Sequence, residues 1–160
     1  MQVVVVYESM FGNTKIIAEA IAEGLWAASD PGTQVEVLPV EEATHDKLKN
    51  VGLLIVGAPT NLRRVPSSRI RKQFPARPGV RQWLKTLSAV PTGRQAAAFD
   101  TRFSRPLAGS TARSICRRLQ RHGYEIVARP AGFFVEQRRG PLTAKERERA
   151  RAWGACLVRQ

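Results

Sequence analysis

The apolar positions of this chain fall into short continuous runs separated by stretches of helical periodicity. "QVVVVY" (2–7), "VGLLIVG" (51–57) and "RQAAAFDT" (94–101) have almost no polar face, the pattern of strands covered on both sides. "QVEVLPV" (34–40) alternates instead, and Pro39 limits its pairing, so it reads as an edge strand. From Thr14, the residues Ile17, Ile21, Leu25 and Ala28 recur at helical spacing with Glu19 and Glu23 opposite, until Asp30-Pro31-Gly32 stops the helix. "VRQWLKTL" (80–87) predicts a second helix behind a long basic stretch, 63–81. Gly109 to Arg121 predicts a third, with Ala112, Ile115, Cys116 and Leu119 inward and Arg113, Arg117 and Arg121 outward.

"YEIVA" (124–128) and "GFFVE" (132–136) read as one interrupted strand. The closing helix has Thr143 and Glu146 at capping-box spacing and Ala150, Trp153 and Leu157 on its inner side. Trp26, Trp83 and Trp153 each fit the inner face of a helix and are expected in the core. Alternating buried strands and amphipathic helices predict an α/β fold, a doubly wound five-stranded parallel sheet forming one domain over 1–160.

Length and composition agree with that: 160 residues, 43% of them apolar, suffice for one folded core. "MQVVVVYE" has no basic start and reads as a first strand, not a leader, and no run reaches membrane-spanning length. The expectation is a cytoplasmic protein without membrane insertion, and nothing in the sequence demands more than a monomer. Cys116 and Cys156 lack CxxC spacing and are expected as two buried thiols. His45 and His122 have no metal-ligand spacing, so no metal is expected. No Ser-His-Asp or paired-carboxylate arrangement stands out, and no catalytic residue is assigned.

Charge changes the picture. The net charge is +13, and it is split: residues 1–60 hold 3 Lys/Arg against 8 Asp/Glu, residues 61–160 hold 23 against 5. Such polarity points to an anionic partner or surface, or to solvated helix faces.

In doubly wound folds the ligand sits beyond the carboxyl ends of the strands, so loops 8–14, 58–64 and 99–105 are the ones to read. The first, "ESMFGNT", carries Ser9, Gly12, Asn13 and Thr14 into a helix start, where unpaired N–H groups and the dipole favour an anion. It is neither a Walker loop nor GxGxxG. Read alone, it is either a phosphate loop or an ordinary N-cap in which Gly12 makes the turn.

"SMFGNT" resembles the flavodoxin phosphate loop, Thr/Ser-x-Thr-Gly-x-Thr, at the right place after strand one. "GAPTN" and "FDTR", after the third and fourth strands in sequence, resemble the two flavodoxin segments that enclose the flavin ring. The resemblance runs through the chain in order. It implies strand order 2-1-3-4-5 and an FMN cofactor. Ser9, Met10, Phe11, Gly12, Asn13 and Thr14 would hold the phosphate. Pro59, Thr60, Asn61 and Leu62 would meet the ring on one side, and Phe99, Asp100, Thr101, Arg102 and Phe103 on the other. Phe99 has core as its alternative, and Asp100 has a local backbone cap.

The departures are also informative. Phe11 stands where a third hydroxyl is usual, which removes one phosphate contact. "NLRRVP" replaces the customary ring-stacking aromatic, leaving Leu62 or an arginine to cover the flavin. Flavodoxins are typically acidic, whereas Arg63, Arg64, Arg102 and Arg105 sit on this rim. One cation at about 8 Å in an effective dielectric of about 20 stabilises the anionic reduced flavin by about 2 kcal/mol. The expectation is a raised potential and a redox partner with an acidic docking surface. Electron transfer is the leading function and an enzyme is not implied. One alternative is a small FMN-dependent NAD(P)H or quinone reductase. Another is a flavin-free module binding nucleic acid or another polyanion through the Arg-rich half.

Overall fold

The valine run Val3–Val6 has no exposed side chain, and the reason is geometric: alternate residues of the central strands feed two separate cores. In a computed structural model describing residues 1–60, 79–103, 110–137 and 139–159, β1 (Gln2–Tyr7) lies between β2 (Gln34–Pro39) and β3 (Leu53–Pro59). β4 (Gln95–Phe103) pairs β3, and β5 (Glu125–Ile126) completes the order β2-β1-β3-β4-β5, all parallel. β6 (Ala131–Val135) also pairs β4, opposite Phe99–Phe103, whereas β5 lies opposite Gln95 and Ala96. The fifth lane is thus one interrupted strand, and the sheet counts six strands instead of five.

Val4, Val6, Leu54, Val56, Ala96 and Ala98 face one core with helices α3 (Val80–Thr86) and α4 (Thr111–Arg121). Val3, Val5, Leu53, Ile55, Ala97 and Phe99 face the other with α1 (Asn13–Ala28) and α5 (Glu146–Leu157). The remaining helix, α2 (His45–Leu48), is a single turn with no buried residue. α1 and α5 pack at Gly24 and Gly154. A Cβ at either would strike backbone of the other helix, Arg151 from Gly24 and Ile21 from Gly154. On the same side Phe99, Phe133 and Trp153 meet edge to face, with centroids 6.1–6.3 Å apart.

Three expectations are corrected. Trp26 is not core: it is 75% exposed, because the buried stripe of α1 runs through Ile17, Ile21, Gly24 and Leu25. Trp83 is buried and Trp153 partly so. Cys116 is buried but Cys156 lies exposed on α5. The capping box does not form. Lys145 is the N-cap, in the left-handed region at φ 70°, and Glu146 instead accepts hydrogen bonds from the Phe134 N–H and the Arg149 guanidinium. The third helix runs from Thr111 to Arg121 behind Ser110, and Gly109 lies outside the described residues.

Candidate functional site

Of the helices that begin at the carboxyl edge of the sheet, α1 and α4 differ at their N-termini. At α4 the first three N–H groups are all taken by side chains. Thr111 N donates to Thr60 Oγ1 (3.2 Å), Ala112 N to Asp100 Oδ2 (2.9 Å) and Arg113 N to Ser110 Oγ (3.2 Å). At α1 the Gly12 N–H donates to Ser9 Oγ (2.9 Å), while no side chain caps the helix itself. Among the described residues, the N–H groups of Asn13, Thr14 and Lys15 are therefore uncapped.

Gly12 makes this possible. It sits at φ 89°, a conformation that L side chains rarely adopt, and a Cβ there would meet nothing within 4 Å. The turn is an open cradle, and its donors are backbone N–H groups at the positive end of a 16-residue helix. Thr14 Oγ1 and Thr101 Oγ1 lie 2.9 Å apart, tying the loop to the end of β4. Two hydroxyls sharing one hydrogen bond spend one proton on it, so the pair keeps one O–H for a ligand.

The described parts of the three predicted loops come together. β1, β3 and β4 are neighbours, Glu8 N donates to the Gly57 carbonyl (3.0 Å), and Thr60 N donates to the Thr101 carbonyl (2.8 Å). Ser9, Met10, Phe11, Gly12 and Asn13 are half-buried on one part of this edge, as are Pro59, Thr60, Arg102 and Phe103. Asn61, Leu62, Arg63, Arg64 and Arg105 lie outside the described residues.

Phe99 does not line the edge. Its ring is fully buried beneath Gly57, where a Cβ would fall inside it, and joins Phe133 and Trp153. Asp100 is also fully buried. Its Oδ2 holds the start of α4 and accepts from Ser110 Oγ at 3.3 Å, which makes it the local cap. Oδ1 faces Arg102 Nε at 3.3 Å. Burial pushes the Asp100 carboxyl above its ordinary range, against the Ala112 N–H and the Arg102 charge, which pull it down. Arg102 is held by this pair, by the space above Gly132 and by the Phe134 ring (6.0 Å), so its charge is partly compensated.

Two participants escaped the sequence reading. Glu8 Oε1 accepts from Val80 N at 2.7 Å, holding the start of α3 against the end of β1. The turn before α5 reaches the first loop: Arg139 stands over the Phe11 ring at 5.4 Å, and Gly140 abuts the Asn13 side chain. Both are contacts between residues far apart in sequence, which local pattern cannot show. The basic stripe is as expected, with Arg113, Arg117 and Arg121 exposed along α4. Glu36, Glu41, Glu42 and Asp46 are exposed at the opposite, β2 end of the sheet. Among the described residues no group of His, Cys, Asp and Glu has metal-binding geometry, and no helix is long and apolar enough to cross a membrane.

No protein-family model matches the chain. A flavodoxin from Aquifex aeolicus (strain VF5) is 44% identical over 61 residues, a stretch covering 38% of this chain and 32% of that protein. Among solved structures, flavodoxin 2 from Bacillus cereus superimposes with a TM-score of 0.73 at 19% identity, over 99% of both chains. A flavodoxin from the domain Archaea gives 0.70 at 20% identity, over 99% of this chain and 97% of that one. A short-chain flavodoxin associated with a bacterial microcompartment gives 0.71 at 16% identity, with the same coverage.

Proposed function

We propose that this chain, flavodoxin-like in its fold and in the sequence it shares with a flavodoxin, is an FMN-binding electron-transfer protein. The observation that carries the reading is the uncapped α1 N-terminus behind Ser9–Thr14, beside an α4 N-terminus fully occupied by side chains. The donor set fits a phosphate: an open Gly12 cradle, three backbone N–H groups and a hydroxyl proton from the Thr14–Thr101 pair. When bound, FMN would supply the one- and two-electron chemistry, and the protein would supply orientation and electrostatics.

The chain's own residues divide that work. Ser9 closes the loop on itself, and Gly12 keeps the cradle clear of side chains. Pro59, Thr60, Thr101 and Phe103 stand at the strand ends where the ring would rest, with Asn61 and Leu62 following in the chain. Buried Asp100 and half-buried Arg102 form a pair beside it whose opposite charges offset each other. Arg102 alone is therefore not the source of a raised flavin potential. The exposed arginines of α4 support a redox partner with an acidic docking surface, since opposite charge steers encounter.

Titration of the purified protein with FMN, followed by flavin fluorescence and the visible spectrum, tests the reading. Saturable quenching with a perturbed spectrum is expected. No uptake at high FMN overturns it. Bleaching of the bound flavin by NADPH without a reductase would instead identify a reductase.

A further inference from the structure

Phe11 removes a hydroxyl from the loop that would hold the flavin phosphate, and the structure puts a cation beside it. The chain leaves β6 and turns back at Gln137, whose carbonyl accepts the Gly140 N–H at 2.9 Å. Glu136 N donates to the Pro141 carbonyl at 3.0 Å and Thr143 N to the Phe134 carbonyl at 2.9 Å, closing the turn from both sides. Gly140 is at φ 100°, and a Cβ there would come within 2.8 Å of Asn13 Oδ1, so the turn sits on the first residue of α1. Arg139, exposed at the tip, lays its guanidinium 5.4 Å from the Phe11 ring centroid.

Among the described residues that guanidinium has no carboxylate partner. Its stacking on Phe11 uses the ring face and leaves the N–H donors at the guanidinium edge. Phe11 immediately precedes Gly12 and the uncapped N–H groups of α1, so the ring under Arg139 belongs to the loop that forms the cradle.

We propose that Arg139 is the charged partner of the flavin phosphate, with Phe11 as its platform. The inference rests on the FMN reading above and deepens it. A neutral-donor loop would become a charge-assisted one, so discrimination of FMN from riboflavin would depend on a residue 126 positions after Asn13.

The test is a titration of wild type, Arg139→Gln and Arg139→Lys with FMN and with riboflavin, at low and high salt. Arg139 is exposed, so the variants should fold, as their thermal midpoints would verify. Wild type should prefer FMN, and Arg139→Gln should weaken FMN about tenfold, equivalent to about 1.4 kcal/mol, while leaving riboflavin unchanged. The salt dependence of FMN affinity should flatten in Arg139→Gln. Arg139→Lys should fall between, keeping the charge and losing the planar stack. An unchanged FMN/riboflavin ratio in Arg139→Gln overturns the proposal and leaves the FMN reading standing. Failure of wild type to bind either flavin overturns both.

Discussion

Thr14 and Thr101, 87 residues apart, join hydroxyl to hydroxyl at 2.9 Å, and through them the first turn of α1 is fixed to the end of β4. Both residues are buried, so removing one partner strands the other. Thr14→Val or Thr101→Val should each cost about 1–3 kcal/mol in urea denaturation, the cost of a buried unsatisfied hydroxyl. The double variant should cost less than the sum of the two. Strict additivity would mean that the hydroxyls do not depend on each other.

Asp100 should give the protein a pH-dependent stability of a sign unusual for a carboxylate. Its folded pKa is raised, mainly by burial, so folding takes up a proton between the unfolded value, about 4, and the folded one. Its contribution is most favourable below that window, declines as pH rises through it and is flat above. Asp100→Asn removes the titration, so the wild-type stability minus that of the variant should fall with rising pH from about pH 4. Arg102→Gln removes a charge that lowers the pKa and should move the window upward. A difference that grows with pH would refute the assignment.

Glu146 should show the opposite sign. Burial disfavours its charge, but the Arg149 guanidinium and the Phe134 N–H together prevail and hold its pKa below the ordinary range. Its contribution is present above the unfolded value and is lost as pH falls through the folded one. Glu146→Gln should be destabilised by about 1–3 kcal/mol at neutral pH, and the gap to wild type should close in acid. A gap that persists unchanged at low pH would exclude the charged interaction.

The parallel sheet was legible because it follows from local pattern, whereas the order that brings the three loops together came with the flavodoxin resemblance. Unbroken runs such as Val3–Val6 require two covered faces, and the carboxyl ends of adjacent strands must lie together. What was illegible depended on tertiary contact. Trp26 has helical spacing suited to the core, yet the closely approaching α5 meets α1 at Gly24. The Thr143–Glu146 spacing promised a cap, but Glu146 found the Phe134 N–H first. Phe99 followed a strand into the core because Gly57, directly opposite, has no side chain. Arg139 reached Phe11 only through a turn after β6.

The tryptophans give a spectroscopic check on that geometry. Trp26 is exposed, Trp83 is buried with its Nε1–H donating to the Ala43 carbonyl at 2.9 Å, and Trp153 lies among aromatic rings. Trp26→Phe should remove the emission most accessible to acrylamide and change stability by no more than about 0.5 kcal/mol. Trp83→Phe should leave that accessible emission intact and cost about 1–3 kcal/mol, because a buried carbonyl loses its donor. Equal quenching of wild type and Trp26→Phe would contradict the exposed position.

Gly154→Ala sets two opposed effects against each other. Alanine is the better helix former, by about 1 kcal/mol in a helix interior. At Gly154, however, the added methyl would strike the Ile21 backbone carbonyl, and backbone cannot rotate away as a side chain can. Separating α1 from α5 would also loosen Ile17, Ile21, Ala150 and Leu157 in the shared core. Overpacking of this kind costs about 1–3 kcal/mol, occasionally more, so the collision should outweigh the propensity gain. A lower thermal midpoint is expected, by about 2–4 °C per kcal/mol for a chain of this size. Gly24→Ala, whose methyl would meet the Arg151 carbonyl, should behave the same way. A midpoint that rises in either variant would show that the seam has slack and that propensity decides.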